Sequence, residues 1–155
     1  VEASSAEERL RISIVVLEHA QDLPLPEYAT PGSAGVDLYA AIPSAVTIEP
    51  MERRLIPTGI SVAIPSGYEG QVRPRSGLAS SRGVTVLNAP GTIDADYRGE
   101  VGVLLVNLGD RAVTINRGDR VAQLLLSRVS KIDWLPAPSL DPTNRDTGGY
   151  GHSGR

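Results

Sequence analysis

Apolar residues in this chain come in short runs, and nearly every run is closed by glycine, proline or an acidic turn. Leu10, Ile12, Ile14 and Val16 alternate with Arg11, Ser13 and Val15, the period-two pattern of a half-buried strand. Similar stretches stand at 46–49, 55–56 and 60–64, the last stopped by Pro65. Further apolar runs follow at 84–87, 101–106, 113–115, 121–126 and 129–135. The intervals carry turn chemistry: Pro31-Gly32, Pro57-Thr58-Gly59, Pro65-Ser66-Gly67, Pro90-Gly91, Gly109-Asp110 and Gly118-Asp119. Many short strands at this spacing predict an all-β sandwich or barrel. One stretch departs from the pattern. Residues 76–82 begin with a hydroxyl suited to capping and end at Gly83, which predicts a short helix fed by a strand over 71–75.

A chain of 155 residues is one domain by length and can enclose a real core. Its 41% apolar content includes no Phe and one Trp, so that core is aliphatic, with part of the aliphatic surface available between subunits. A net charge of −3 argues against a general nucleic-acid or membrane binder, although a small anion needs only a few arginines. The absence of cysteine excludes disulfides and thiolate metal sites, and two histidines, His19 and His152, make a His-rich zinc site improbable. No apolar run approaches the roughly 20 residues of a membrane span and no signal peptide is visible, so a cytoplasmic location is expected. Residues 1–9 read as a polar leader, trimmed or engineered at its start. Residues 10–135 read as the β-domain and 136–155 as a flexible C-terminal arm.

Four internal segments carry more polar and glycine residues than strand neighbours need. In Ala34-Gly35-Val36-Asp37-Leu38-Tyr39-Ala40, burying the acid would be costly unless it is paired with an arginine or works on a metal. The other reading of Asp37 is an outward position on an edge strand. In Arg73-Pro74-Arg75-Ser76-Gly77-Leu78-Ala79, a strand ends where a helix begins, so free N–H groups and Arg75 could hold an anion. Ser76 could equally be a plain N-cap. The P-loop spacing is absent.

The third segment runs from Asn88 to Val101. Pro90-Gly91 and Gly99 shape a hairpin whose backbone could read the edge of a flat base, and Asn88 offers such an edge both donors and an acceptor. Asp94 could orient and deprotonate a water, and Tyr97 could stack on a sugar. An ordinary acidic β-turn reads equally well there. In the fourth, Gly118 to Leu126, Gln123 interrupts an apolar strand and its amide needs partners. Asp119 and Arg120 beside it read as a surface turn pair of little energetic value. The arm ends in the glycine-rich stretch Arg145-Asp146-Thr147-Gly148-Gly149-Tyr150-Gly151-His152-Ser153-Gly154-Arg155, which builds no core element but suits a lid. There Arg145 and Ser153 could take phosphate oxygens, and Tyr150 offers a ring for a base.

In this order, AGVDLYA, RPRSGLA, NAPGTIDADYRGEV, GDRVAQLLL and RDTGGYGHSG resemble the five-motif signature of the trimeric dUTP pyrophosphatases, the dUTPases. The likeness runs from about Leu10 to the end. It implies a β jelly-roll forming a homotrimer, with each active site drawn from all three subunits and closed by an arm. It implies hydrolysis of dUTP to dUMP and pyrophosphate, which limits uracil incorporation into DNA and supplies dUMP for thymidylate synthesis. By the resemblance, Asp94 is the general base for in-line water attack on the α-phosphate. Asp37 supports the metal-bound triphosphate through water, with Mg²⁺ held by the phosphates and no direct protein ligand expected. Arg75, Ser76, Gly77 and Gln123 bind phosphate. Asn88 with the backbone of Thr92, Ile93 and Gly102 recognises uracil, and Tyr97 packs on deoxyribose and leaves no room for a 2′-hydroxyl. Arg145, Tyr150, Gly151 and Ser153 belong to the closing arm. The implied partners are dUTP, dUMP and two further copies of the chain, with no nucleic acid and no membrane.

Two arm positions depart from the family's pattern: Asp146 follows the arm's arginine where glycine is usual, and Tyr150 stands for the stacking Phe. Tyrosine keeps the ring, whereas Asp146 brings a negative charge beside phosphate. A related dCTP deaminase shares the fold, but its catalytic Glu falls where this chain has Leu104, which cannot shuttle a proton. A non-catalytic nucleotide-sensing or regulatory module of the same fold is the remaining alternative; the retained Asp94, Ser76 and Arg145 speak against it.

Overall fold

Residues 9–149 of the chain are described by a computed structural model, and nearly all of their regular structure is antiparallel β. The strands are β1 (Ser13–Val16), β2 (Val36–Tyr39), β3 (Val46–Ile48), β4 (Arg53–Pro57), β5 (Ile60–Ala63) and β6 (Tyr68–Arg73). After the helix α1 (Ser76–Arg82) come β7 (Val84–Val86), β8 (Gly91–Ile93), β9 (Gly102–Asn107), β10 (Val113–Ile115) and β11 (Arg120–Arg128). A four-stranded sheet has the order β2-β11-β6-β8 and a three-stranded sheet the order β4-β9-β7, while β1 pairs with β5 and β10 with β3. Neighbours in space are mostly distant in sequence, as a jelly-roll requires.

Period-two alternation decides what goes inside. Val103, Leu105, Ile56, Leu38, Ile48, Ile115 and Val121 are almost completely buried and share one aliphatic cluster. Asn107 is a polar residue that the core can tolerate, because its amide is satisfied on both sides. Its Nδ2 donates to the carbonyls of Ile48 (2.9 Å) and Arg111 (2.8 Å), and its Oδ1 accepts from the Gly109 amide at 2.9 Å.

The helix spans the expected residues but starts differently. Arg75, extended at φ −89°, occupies the cap position without a side-chain cap bond, and Ser76 is already helical. Ser76 is therefore not the capping hydroxyl, because helical backbone already begins at Ser76 and the extended cap residue is the one before it. At the other end Gly83 closes the helix at φ 68°, ψ 13°, donating to the carbonyls of Ala79 and Leu78. A Cβ on Gly83 would stand 2.6 Å from the Gly109 nitrogen, so both conformation and space require glycine.

A second correction concerns the C-terminal end of the β-domain. β11 stops at Arg128, and residues 129–135 form no strand despite their apolar run. Ile132, Trp134 and Leu135 are 71%, 81% and 91% exposed, so the lone Trp lies outside the core. Without a neighbouring strand in its own chain, alternation alone does not hold such a segment in a sheet. A short 3-10 turn at Glu18–Ala20 was not expected from the sequence. Arg117 fastens it, donating to the carbonyls of His19 (2.7 Å) and Ile42 (3.1 Å) and pairing with Asp22. The hydrogen bond from Arg117 holds the Asp22 carboxyl below the ordinary carboxylate range. What this surface pair contributes is small, is present above about pH 4, and is lost as pH falls through the depressed value.

Candidate active site

The centre of the four-stranded sheet brings three of the segments together. β11 lies between β2 and β6, and in this register Gln123 stands opposite Asp37 on one side and Arg73 on the other. Residues directly opposite share a face, so Asp37, Gln123 and Arg73 form one polar row, while Leu38 and Ala122 next to them point into the core. Asp37 is only 4% exposed although it lies on the outer face, because two arginines cover it. Arg120 Nη1 donates to Oδ2 at 3.2 Å, and Arg75 Nε lies 3.2 Å from Oδ1. Arg75 also donates to the Arg120 carbonyl at 3.2 Å, which locks the two arginines together.

The pairing that a buried Asp37 demands is thus present, yet incomplete. Oδ1 has the charge of Arg75 nearby but no hydrogen bond, an exception for a buried carboxylate oxygen. Arg120 does not pair with Asp119, whose Oδ2 instead accepts from the Asn116 amide at 2.8 Å and closes its own turn. A register shift between Arg120 and Ala122 aims Arg120 at Asp37, a bulge that no local pattern announced. Arg73 is held by Gln71, accepting at 3.1 and 2.7 Å. Arg120, which reads from the sequence as a surface turn pair with Asp119, and Arg73 are the cradle residues to which sequence reasoning gave no role. The half-buried Gln123 amide makes no hydrogen bond among the described residues and is open to a ligand. Arg75, Gly77 and Arg120 line a cleft of about 380 Å³. Asp37→Asn is expected to cost about 1–3 kcal/mol, since it unbalances two arginines around a buried site. Urea unfolding checks this, and no measurable loss would contradict it.

A second concavity, about 290 Å³, is lined by Leu55, Thr92, Ile93, Asp94, Tyr97, Glu100, Val101 and Gly102. That is the low end of volumes that enclose a small molecule, about 300 Å³. β8 is an edge strand, so backbone groups of Gly91–Ile93 on its far side are free of sheet pairing and available to a ligand. Asn88, on the loop before β8, folds over Gly91, its Nδ2 3.2 Å from where a Cβ there would stand. Asp94 follows the strand and is exposed, and its backbone carbonyl accepts the Tyr97 amide at 3.1 Å in a tight turn that separates it from Asp96.

The two concavities do not meet within one chain. Ile93 lies opposite Gly70, whereas Gln123 lies opposite Arg73, further along β6 and on its other side. Strand rise and spacing put the Asp94 and Gln123 backbones roughly 15 Å apart. One water cannot bridge that distance. The arm stays apart too: Arg145 is exposed and its Nε donates to Gly148 within its own turn at 2.7 Å. Asp146 adopts φ 43°, the left-handed conformation that glycine takes at no cost and Asp tolerates better than most residues. Tyr150, Gly151 and Ser153 lie outside the described residues. No group of three or more His, Cys, Asp or Glu among the described residues could hold a metal directly, and no described helix is long and apolar enough to cross a membrane.

The crossed-over antiparallel sheets, with an arginine-covered acid on one and a hairpin pocket at the edge of the same sheet, define a jelly-roll domain. The dUTPase family model matches residues 21–154, and the chain belongs to that family. A Wolbachia protein (from Brugia malayi) named deoxyuridine 5′-triphosphate nucleotidohydrolase is 54% identical over 95% of this chain and 96% of its own. The enzyme of that name from Aquifex aeolicus is 64% identical over 79% and 81% of the two chains. Among solved structures, the Staphylococcus bacteriophage 80alpha dUTPase with dUPNHPP superposes with a TM-score of 0.83 at 25% identity, covering 94% of this chain and 99% of that one. A phage phi11 dUTPase mutant described with a structural Mg(II) ion gives a TM-score of 0.74 at 24% identity over 86% and 100%, a likeness of fold.

Proposed function

We propose that this chain hydrolyses dUTP to dUMP and pyrophosphate at sites assembled between copies of a homotrimer. The observation that carries the shared site is the separation of Asp94 from the Asp37–Arg75–Gln123 cradle inside one chain. The exposed Leu55, Leu87 and Leu108, at 68%, 49% and 58%, supply apolar surface for contact between copies. In this reading the hairpin pocket takes the nucleoside. Uracil meets the free edge of β8 and the Asn88 amide, with Gly102 leaving room beside Leu55. Tyr97 packs on the deoxyribose.

The phosphates extend into a neighbouring copy's cradle. There Arg75, Arg120 and the first-turn N–H groups at Ser76 and Gly77 meet their charge, and Gln123 donates to a phosphate oxygen. Asp94 accepts a proton from a water aligned with the α-phosphorus. The water oxygen bonds to phosphorus, the bond to the bridging oxygen breaks, and pyrophosphate departs with that electron pair. The unsatisfied Oδ1 of Asp37 would support a bound Mg²⁺ through a hydrogen-bonded water, while the triphosphate itself would supply the oxygens that hold the ion. When bound, Mg²⁺ neutralises and orients the triphosphate. The arm of a third copy, through Arg145, Tyr150, Gly151 and Ser153, closes over the site and excludes bulk water. A cytoplasmic location accompanies this reading.

Incubating the protein with dUTP and Mg²⁺ and resolving products by anion exchange tests the reaction. Stoichiometric dUMP and pyrophosphate are expected; intact dUTP would overturn the proposal.

A further inference from the structure

The hairpin pocket contains a small device that none of its proposed ligand contacts explains. The Tyr97 ring folds back on its own loop, with its phenol end close against Gly99. A Cβ on Gly99 would overlap the ring, 2.7 Å from Cζ and 3.1 Å from Cε2, and nearer still to the phenol oxygen. Only glycine leaves the ring that position. The Tyr97 hydroxyl donates to the Glu100 carbonyl at 3.0 Å, so the phenol is tied to the backbone three residues ahead. Arg98 tightens the same loop by donating to the carbonyls of Ala95 (2.6 Å) and Tyr97 (2.8 Å).

The carbonyl that holds the phenol is itself held. Glu100 is half-buried, and its Oε1 accepts from the Gly59 amide at 2.7 Å and from His19 Nε2 at 2.9 Å. One residue on, Val101 donates to the Ile60 carbonyl at 2.8 Å, and its own carbonyl accepts from Thr58 Oγ1 at 2.5 Å. Side chain and backbone of residues 100–101 are thereby fixed from both sides onto the turn between β4 and β5. The His19 end is fixed as well, because Arg117 ties the 3-10 turn to the body of the domain. A chain of contacts runs from the 3-10 turn through Glu100 to a ring that is 45% exposed on the pocket wall.

The geometry points to Glu100 and Gly99 as positioning residues that set the Tyr97 ring and so the enzyme's discrimination between deoxyribose and ribose nucleotides. This rests on the proposed function, in which Tyr97 faces the sugar. A ring held on two sides cannot yield to an added 2′-hydroxyl, whereas a ring free to swing can. Removing its supports should therefore relax selectivity and leave chemistry at phosphorus largely intact.

The test compares kcat and KM for dUTP and UTP in full-length Gly99→Ala, Glu100→Ala, Glu100→Gln and Tyr97→Ala proteins. Thermal unfolding monitors the fold. Gly99→Ala and Glu100→Ala should lower the dUTP:UTP ratio of kcat/KM by roughly tenfold, through a higher KM for dUTP and better use of UTP. Glu100→Gln should keep most of the ratio, since its amide oxygen still accepts from Gly59. A purely structural role would lower the unfolding midpoint and leave the ratio unchanged. Should Tyr97→Ala lose selectivity while Gly99→Ala and Glu100→Ala keep it, the positioning role is overturned and the proposed function stands. Should Tyr97→Ala itself keep full selectivity, the assignment of Tyr97 to the sugar fails, and the inference with it. If Glu100→Ala does not fold, Tyr97→Phe takes its place, removing only the bond to the Glu100 carbonyl; an unchanged ratio in both Tyr97→Phe and Gly99→Ala overturns the inference.

Discussion

Asp94→Asn should bind dUTP about as well as the parent protein while its turnover falls by roughly 10²–10⁴-fold, the range a positioned general base contributes. The asparagine is nearly isosteric and sits on the exposed turn after β8, so neither the pocket wall nor the sheet depends on the charge. It cannot take a proton from water, and the phosphate-binding groups are untouched because they lie on other strands. Isothermal titration with a non-hydrolysable dUTP analogue separates the two effects. Turnover within a few-fold of the parent protein would remove Asp94 from its role as base.

Ending the chain after Asp141 should be nearly as damaging to turnover and almost silent in stability. Residues 136–147 are exposed throughout, and Arg145 spends its Nε on Gly148 in its own turn, so this segment adds no core packing to its own domain. Its proposed work is done on a bound nucleotide, where Arg145 and Ser153 meet the outer phosphates and Tyr150 covers the base. Losing these contacts and the exclusion of water should lower turnover by roughly 10²-fold or more. The unfolding midpoint should move by no more than a few degrees. A truncated protein with full activity would make the arm a passive tail.

Much of this architecture was legible because the signals are local. The helix at Ser76–Arg82 could be read from its closing Gly83, whose left-handed backbone and contact with Gly109 leave no other choice. The strands could be read where alternation met turn chemistry on both sides, as at Ile60–Ala63 between Gly59 and Pro65. The cost of burying Asp37 correctly called for a cationic partner.

What escaped the sequence depends on long-range pairing. Arg120 reaches a carboxylate 83 positions away, across a bulge that only the β2–β11 register creates. Residues 129–135 carry strand-like alternation, but no strand among the described residues pairs with them. The cap falls on Arg75, one residue before the hydroxyl that marks it in the sequence, because helical backbone already begins at Ser76. The support of Tyr97 by Glu100, Gly59 and His19 joins segments 41 to 81 residues apart, beyond any motif.

The account stands on a base and a phosphate cradle that serve one nucleotide from different copies of the chain. Co-refolding equal amounts of Asp94→Asn and Arg75→Ala, each nearly inactive alone, tests this most directly. Random assembly should place an intact hairpin against an intact cradle at about a quarter of the sites, with dUTP turnover recovered to about that fraction. Mixed oligomers no more active than either parent variant would show that both residues act from the same chain, and would contradict the account.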